Sequence, residues 1–162
     1  MGVSGCGKTT IGKILSVNTG IPFFDGDDFH QVANIQKMKS GLPLDDNDRS
    51  GWLSELNSLL KLQRNSVGAI LACSALKQSY RKTLLSGILL PAHLVFLNGS
   101  KEIISRRLQN RSNHYMPLSL LDTQFEILEP PEESIVISIE KSPEEICCEI
   151  QSTLSLKSVA IT

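Results

Sequence analysis

The sequence lacks an excess of either charge. Sixteen Lys and Arg stand against seventeen Asp and Glu, a formal net charge of −1. That balance argues against a general nucleic-acid or membrane-surface binder, while leaving room for a local basic cleft. No apolar run reaches transmembrane length and no n-region/h-region signal opens the chain, so the expected location is the cytoplasm. Cys6, Cys73, Cys147 and Cys148 show no C-x-x-C spacing and no paired histidines, which excludes the common zinc and disulfide frameworks. Internal repeats, low-complexity tracts and linkers are absent too. A chain of 162 residues, 41% hydrophobic, therefore reads as one domain, residues 1–162, around one core.

What is present begins at once. Gly2 to Thr9 reads G-x-x-x-x-G-K-T, the P-loop pattern. Average residue usage would produce it by chance in roughly one chain in two hundred of this length, so the functional reading carries the weight. The backbone of Gly2, Val3, Ser4, Gly5, Cys6 and Gly7 can wrap a polyphosphate, because glycines allow the close turns that aim successive N–H groups at its oxygens. Lys8 can reach the β- and γ-phosphates, the Thr9 hydroxyl can hold Mg²⁺, and Thr10 continues into a helix whose positive end faces the anion. One piece is missing. A P-loop should follow a buried strand, and only Met1 precedes Gly2.

Beyond the motif, helical and strand patterns alternate. Helices are predicted over residues 8–17, 29–39, 45–63, 75–85, 101–109 and 118–128, and from residue 143 onward. Strands are predicted over 21–25, 67–73, 92–97 and 135–139. Ser142-Pro143-Glu144-Glu145 is a strong helix start, with a Ser cap and Glu three residues on. Strands separated by helices imply parallel pairing with right-handed crossovers. The expected fold is a three-layer α/β P-loop kinase domain, a parallel sheet of nominally five strands with the first absent from the chain. Ligands in such sheets sit at the carboxyl ends of the strands.

Several candidate groups fall at those ends. Asp25 and Asp27 follow the first strand; a carboxylate facing a P-loop can hold the Mg²⁺ shell or take a proton from a hydroxyl, whereas a plain solvated turn is the competing reading. If the strand's alternation persists, Asp25 and Asp27 point toward the P-loop and Asp28 away from it. Arg49 sits in a first helical turn, where a cation opposes the dipole and so hints at an anionic partner. Lys77 and Arg81, four apart on one helix face, could clamp a carboxylate or phosphate, or be surface charge. Arg107 lies just before, and Arg111 and His114 within, an irregular segment, about residues 110–117, that could act as a lid closing over nucleotide. His30 and His114 serve equally well as substrate contacts or structural residues. Arg106 reads as exposed, and His93 receives no role.

Taken together, these stretches resemble the gluconokinases among the P-loop kinases. The matching pieces are GVSGCGKTT from Gly2, FFDGDDFH from Phe23, NIQKMKSGLPLDDNDR from Asn34 followed by Trp52-Leu53, CSALKQSYR from Cys73, RLQNRSNHYMP from Arg107 and LLDTQFEILEPP from Leu120. The resemblance covers nearly the whole chain. It implies ATP-dependent phosphorylation of the 6-hydroxyl of D-gluconate with Mg²⁺, a fold like shikimate and nucleoside monophosphate kinases, and often a homodimer. By the same resemblance Asp27 orients or deprotonates the hydroxyl. Arg49, Lys77 and Arg81 read the gluconate, with His30 and His114 beside them, and Arg107 and Arg111 close over ATP. Three departures stand out. Cys6 replaces a small residue such as Ser, Asn113 replaces the Gly before the lid histidine, and the first strand is missing. A kinase for a shikimate-like or nucleotide acceptor, and a truncated non-catalytic nucleotide-binding protein, are the alternatives. On the missing strand, the expectation is a gap between the strands at 67–73 and 92–97, a native start several residues upstream of Met1, and a 162-residue form that is unstable or inactive.

Overall fold

A computed structural model describes residues 1–63, 66–89, 91–110 and 119–158. Helix α1 (Lys8–Thr19) leaves the P-loop from Gly7, whose φ of 102° needs a glycine, and stops at Gly20, whose N–H donates to Ser16 O at 2.8 Å. Strand β1 (Phe23–Asp25) ends in a 3₁₀ turn, Gly26–Phe29. Helices α2 (Val32–Lys39) and α3 (Asp46–Gln63) follow, then β2 (Ile70–Ala72), α4 (Gln78–Leu85), β3 (Val95–Asn98), α5 (Lys101–Gln109), α6 (Ser119–Glu126), β4 (Ile135–Ser138) and α7 (Pro143–Thr153). The start of α7 carries the expected capping box: Ser142 Oγ accepts from Glu145 N, and Glu145 accepts from Ser142 N.

All pairing among the described strands is parallel, as the alternating pattern requires. β1 pairs with β2, Phe24 opposite Leu71, and β3 pairs with β4, Phe96 opposite Val136. Successive residues of β2 face opposite layers. Ile70 packs with Ile11, Leu15 and Ile150 of the α1/α7 side, while Leu71 packs with Trp52, Leu56 and Leu84 of the α3/α4 side. Both faces of β2 are thus covered, and β2 is apolar throughout.

The expected gap is present. β2 and β3 are not paired with each other. The chain start stitches them at one end only: the Met1 amino group donates to Val95 O, Leu97 N donates to Met1 O at 3.0 Å, and Gly2 N donates to Ser74 O at 3.2 Å. Behind these bonds lies a largely apolar cavity of about 580 Å³ bordered by Ile70, Ala72, Val95, Leu97, Ile11 and Leu15. Of residues 2–10, Lys8 alone borders it.

Two predicted helices start later than the periodicity suggests. The segment at 29–39 breaks at His30 and Gln31, both extended, before α2 begins. The segment at 75–85 begins at Gln78, because Ala75 takes a φ of 46° and Lys77 an extended backbone.

The contact between α1 and β1 is close enough to exclude a methyl group. A Cβ on Gly12 would lie 2.2 Å from the Phe23 ring, whereas one on Gly51, in α3, would meet its nearest neighbour, Gln31 Nε2, at 3.4 Å. Both are helical glycines that alanine should improve by about 1 kcal/mol on propensity alone. Overpacking costs about 1–3 kcal/mol. We therefore expect Gly51→Ala to raise the melting temperature and Gly12→Ala to lower it by several degrees; a scan in which both rise contradicts the packing.

Candidate active site

The P-loop is shaped by its glycines and by the core under it. Gly5 has a φ of 84°, and a Cβ there would lie 2.8 Å from Leu108. Val3 and Cys6 point downward and are buried, so the cysteine fills core space while its backbone keeps the turn. Lys8 folds back along the loop, and its Nζ donates to Gly2 O and Val3 O, both at 3.0 Å. The amide of Ser4 donates to Gln124 Oε1 at 2.7 Å.

Asp25 joins this loop to the acidic turn. Its Oδ2 accepts from Thr9 Oγ1 at 2.7 Å, and its Oδ1 accepts from Asp27 N at 3.2 Å. The strand's alternation does not persist past Asp25, contrary to the sequence expectation. The 3₁₀ turn takes over, capped by Asp25 itself, and swings Asp27 to the wall of a small cavity. Asp28 is exposed and does not border that cavity. Trp52 holds the turn from below, its Nε1 donating to Gly26 O at 2.7 Å. A Cβ on Gly26 would lie 2.8 Å from Ala72 O, so the turn also sits tightly on β2.

The cavity, about 40 Å³, is lined by Ser4 and Lys8 of the P-loop together with Asp27, His30, Arg49 and Gln124, over a floor that includes Trp52, Met38 and Leu44. That volume suits about one water molecule. His30 stacks on Trp52, with ring centroids 4.4 Å apart, and its Nε2 lies 4.0 Å from Asp27 Oδ1. Its Nδ1 is buried with no hydrogen-bond partner among the described residues. Burial pushes the His30 pKa below 6.5, against Asp27, which raises it, and with a smaller lowering from Arg49.

The basic candidates divide. Arg49 borders the cavity; its guanidinium donates to Leu44 O, to Asp45 O at 3.3 Å and to Tyr80 Oη at 3.3 Å, and lies over the Tyr80 ring. Lys77 stands beside this group, bound to Asp46 Oδ1 at 2.7 Å. Asp46, also accepting from Tyr80 Oη, is held below the ordinary carboxylate range by those two bonds. Arg81 corrects the clamp expectation. It is buried, and its guanidinium donates to Ala75 O and Leu76 O, both at 3.0 Å. It stabilises the left-handed turn at Ala75 and does not border the cavity. Arg107, at the end of α5, donates to Ile139 O at 2.5 Å, just beyond β4. Arg111, His114 and nearly all of the expected lid lie outside the described residues.

Sequence reasoning passed over Gln124 and Ser74, both on the cavity wall. Gln124 lies within a stretch quoted for the family resemblance, but glutamine belongs to no phosphate or acid–base motif, so only that stretch could have flagged it. Among the described residues no three His, Cys, Asp or Glu side chains converge as a metal site. A site for Mg²⁺ needs no such cluster, since the ion keeps waters and takes one or two protein oxygens beside substrate phosphates. Thr9 Oγ1 and Asp25 Oδ2, adjacent and next to the loop, supply that donor set.

A family model described as shikimate kinase matches residues 4–155. A "probable gluconokinase" of Xenopus tropicalis is 41% identical, over 99% of this chain and 94% of that protein. A gluconokinase of Gluconobacter oxydans is 44% identical, over 93% of this chain and 86% of its own length. The chain belongs to the gluconokinase family. Within that family, the crystal structure of a gluconokinase from Sinorhizobium meliloti superposes with a TM-score of 0.85 at 38% identity, covering 96% of this chain and 89% of that one. The P-loop kinase fold expected from the sequence is thereby shown. Among the described residues no helix is long and apolar enough to cross a membrane.

The buried histidine has a measurable signature. Because the folded pKa of His30 is lowered, the unfolded chain takes up a proton more readily as pH drops below 6.5, so stability falls there and is restored as pH rises. The Met1 amino group, pushed down by burial from 8.0 to about 6, adds a slope of the same sign between those values. We expect the wild-type melting temperature to fall from pH 7 to pH 5. His30→Phe, which keeps the stack on Trp52, should flatten the part below pH 6.5 and leave the part above it. An unchanged slope below pH 6.5 contradicts the assignment.

Proposed function

We propose that this protein transfers the γ-phosphoryl group of ATP to the 6-hydroxyl of D-gluconate, with Mg²⁺ as cofactor. The observation that carries the reading is one cavity whose walls join the P-loop, through Ser4 and Lys8, to Asp27, His30 and Arg49. Donor and acceptor machinery share that space, as a direct in-line transfer requires.

Roles follow from position. The loop amides and the Lys8 ammonium stabilise charge on the phosphoryl oxygens as it builds in the transition state. Mg²⁺, held by Thr9 Oγ1 and Asp25, would neutralise charge on the same phosphates. Asp27 accepts the proton of the acceptor hydroxyl. Arg49, already carrying a guanidinium on the cavity wall, pairs with the carboxylate of the sugar acid. His30 presents an imidazole to the acceptor's hydroxyls. Lys77 supports this end through Asp46 and Tyr80; by the family resemblance, Arg107 and Arg111 close over ATP and His114 contacts the acceptor.

The test is ADP release over a panel of acceptors. Gluconate should be clearly preferred; equal turnover of shikimate or a nucleoside monophosphate would overturn the reading. Variants separate the roles. Lys8→Ala and Asp27→Asn should each lower kcat by orders of magnitude, with ATP still bound by the Asp27 variant. Asp28→Asn should remain active. Arg49→Ala should raise KM for gluconate and leave KM for ATP nearly unchanged; an effect on ATP alone contradicts its assignment.

A further inference from the structure

Gln124 stands at the junction of the two halves of the site, and no motif assigns it. It projects from α6, and its Oε1 accepts the Ser4 N–H at 2.7 Å. It also borders the cavity with Asp27, His30 and Arg49. The Ser4 amide belongs to the phosphate cradle, whose N–H groups serve incoming anionic oxygens. A phosphate oxygen and a carboxamide oxygen are both acceptors, so they compete for that single donor. The Ser4–Gln124 bond lies on the wall of that cavity, so Gln124 is the wall residue whose bond nucleotide would displace.

We propose that Gln124 couples nucleotide binding to acceptor binding. A phosphate oxygen takes the Ser4 N–H, the carboxamide turns into the cavity, and there it accepts from and donates to hydroxyls of the polyhydroxy acid. Gln124 is thus a specificity-determining residue for the acceptor that exists in two states. The proposal rests on the reading of the acceptor as a sugar acid, and its nucleotide half stands apart from that reading.

Calorimetric titration of the full chain tests both halves, using the non-hydrolysable analogue AMP-PNP with Mg²⁺, and D-gluconate. Wild type should bind gluconate about five-fold or more tightly with AMP-PNP present than without it, the lower end of ordinary coupling between sites. Gln124→Ala should reduce that ratio below about two-fold while binding AMP-PNP alone as tightly as wild type or more tightly, because the competitor is gone. Gln124→Glu, isosteric but anionic, should weaken AMP-PNP alone by about ten-fold, as a carboxylate beside phosphates repels them. A thermal melt of each variant checks that it folds. Coupling retained in Gln124→Ala, or AMP-PNP binding weakened by that substitution, overturns the proposal, since a residue that merely braces the loop would behave so. Wild type that binds AMP-PNP but no gluconate overturns the acceptor reading instead, and the affinity order of the two variants for AMP-PNP then decides the competition for Ser4.

Discussion

The carboxylate of Asp25 accepts two hydrogen bonds, one from the Thr9 hydroxyl and one from the Asp27 amide. The first ties the end of β1 to the first turn of α1. The second caps the 3₁₀ turn that presents Asp27. With one side chain, the phosphate loop and the acceptor turn acquire a fixed relation. The geometry needs α1 to lie flush against β1, and the missing side chain at Gly12 permits that. It also needs the turn to be held from below, which Trp52 does through the Gly26 carbonyl. Core packing, turn capping and the approach of the two halves of the site are thus consequences of one local arrangement.

The charges around the site serve structure and chemistry unequally. Arg81 spends its guanidinium on two backbone carbonyls and holds a left-handed residue in place. Lys77, Asp46, Tyr80 and Arg49 form a connected group in which Arg49 alone reaches the cavity. Such a group fixes the Arg49 guanidinium at the cavity wall, because its neighbours restrict where it can sit. His30 illustrates the same economy of place. Its ring is packed as a core residue against Trp52, yet it lies at the cavity wall, where a buried imidazole remains neutral near pH 7.

Much of this was legible in the sequence, for reasons that can be named. The P-loop is a contiguous backbone device, so its residues announce it. Alternating apolar runs and amphipathic stripes gave the order of strands and helices, and every predicted element among the described residues is found, with shifted ends. Less legible were features set by tertiary contact. The 3₁₀ turn replaces strand alternation because Asp25 caps it and Trp52 binds it, and neither fact is local to the turn. The i, i+4 spacing of Lys77 and Arg81 suggested a shared face, but Ala75 turns beneath Arg81 and buries it. Gln124 carries no signal of its own, since its importance arises only when α6 meets the P-loop.

Asp25 links the phosphate loop to the turn that carries Asp27, and under the proposed function its carboxylate would supply negative charge to Mg²⁺. Asp25→Asn isolates the charge, because an amide oxygen can still accept from the Asp27 amide and keep the turn. The measurement is the Mg²⁺ concentration that gives half-maximal gluconate-dependent ADP release, read beside a thermal melt. The requirement should rise about ten-fold or more, the scale on which altered metal-site residues act, with a melting temperature close to wild type. An unchanged Mg²⁺ requirement in a variant of unchanged stability would contradict that role for Asp25.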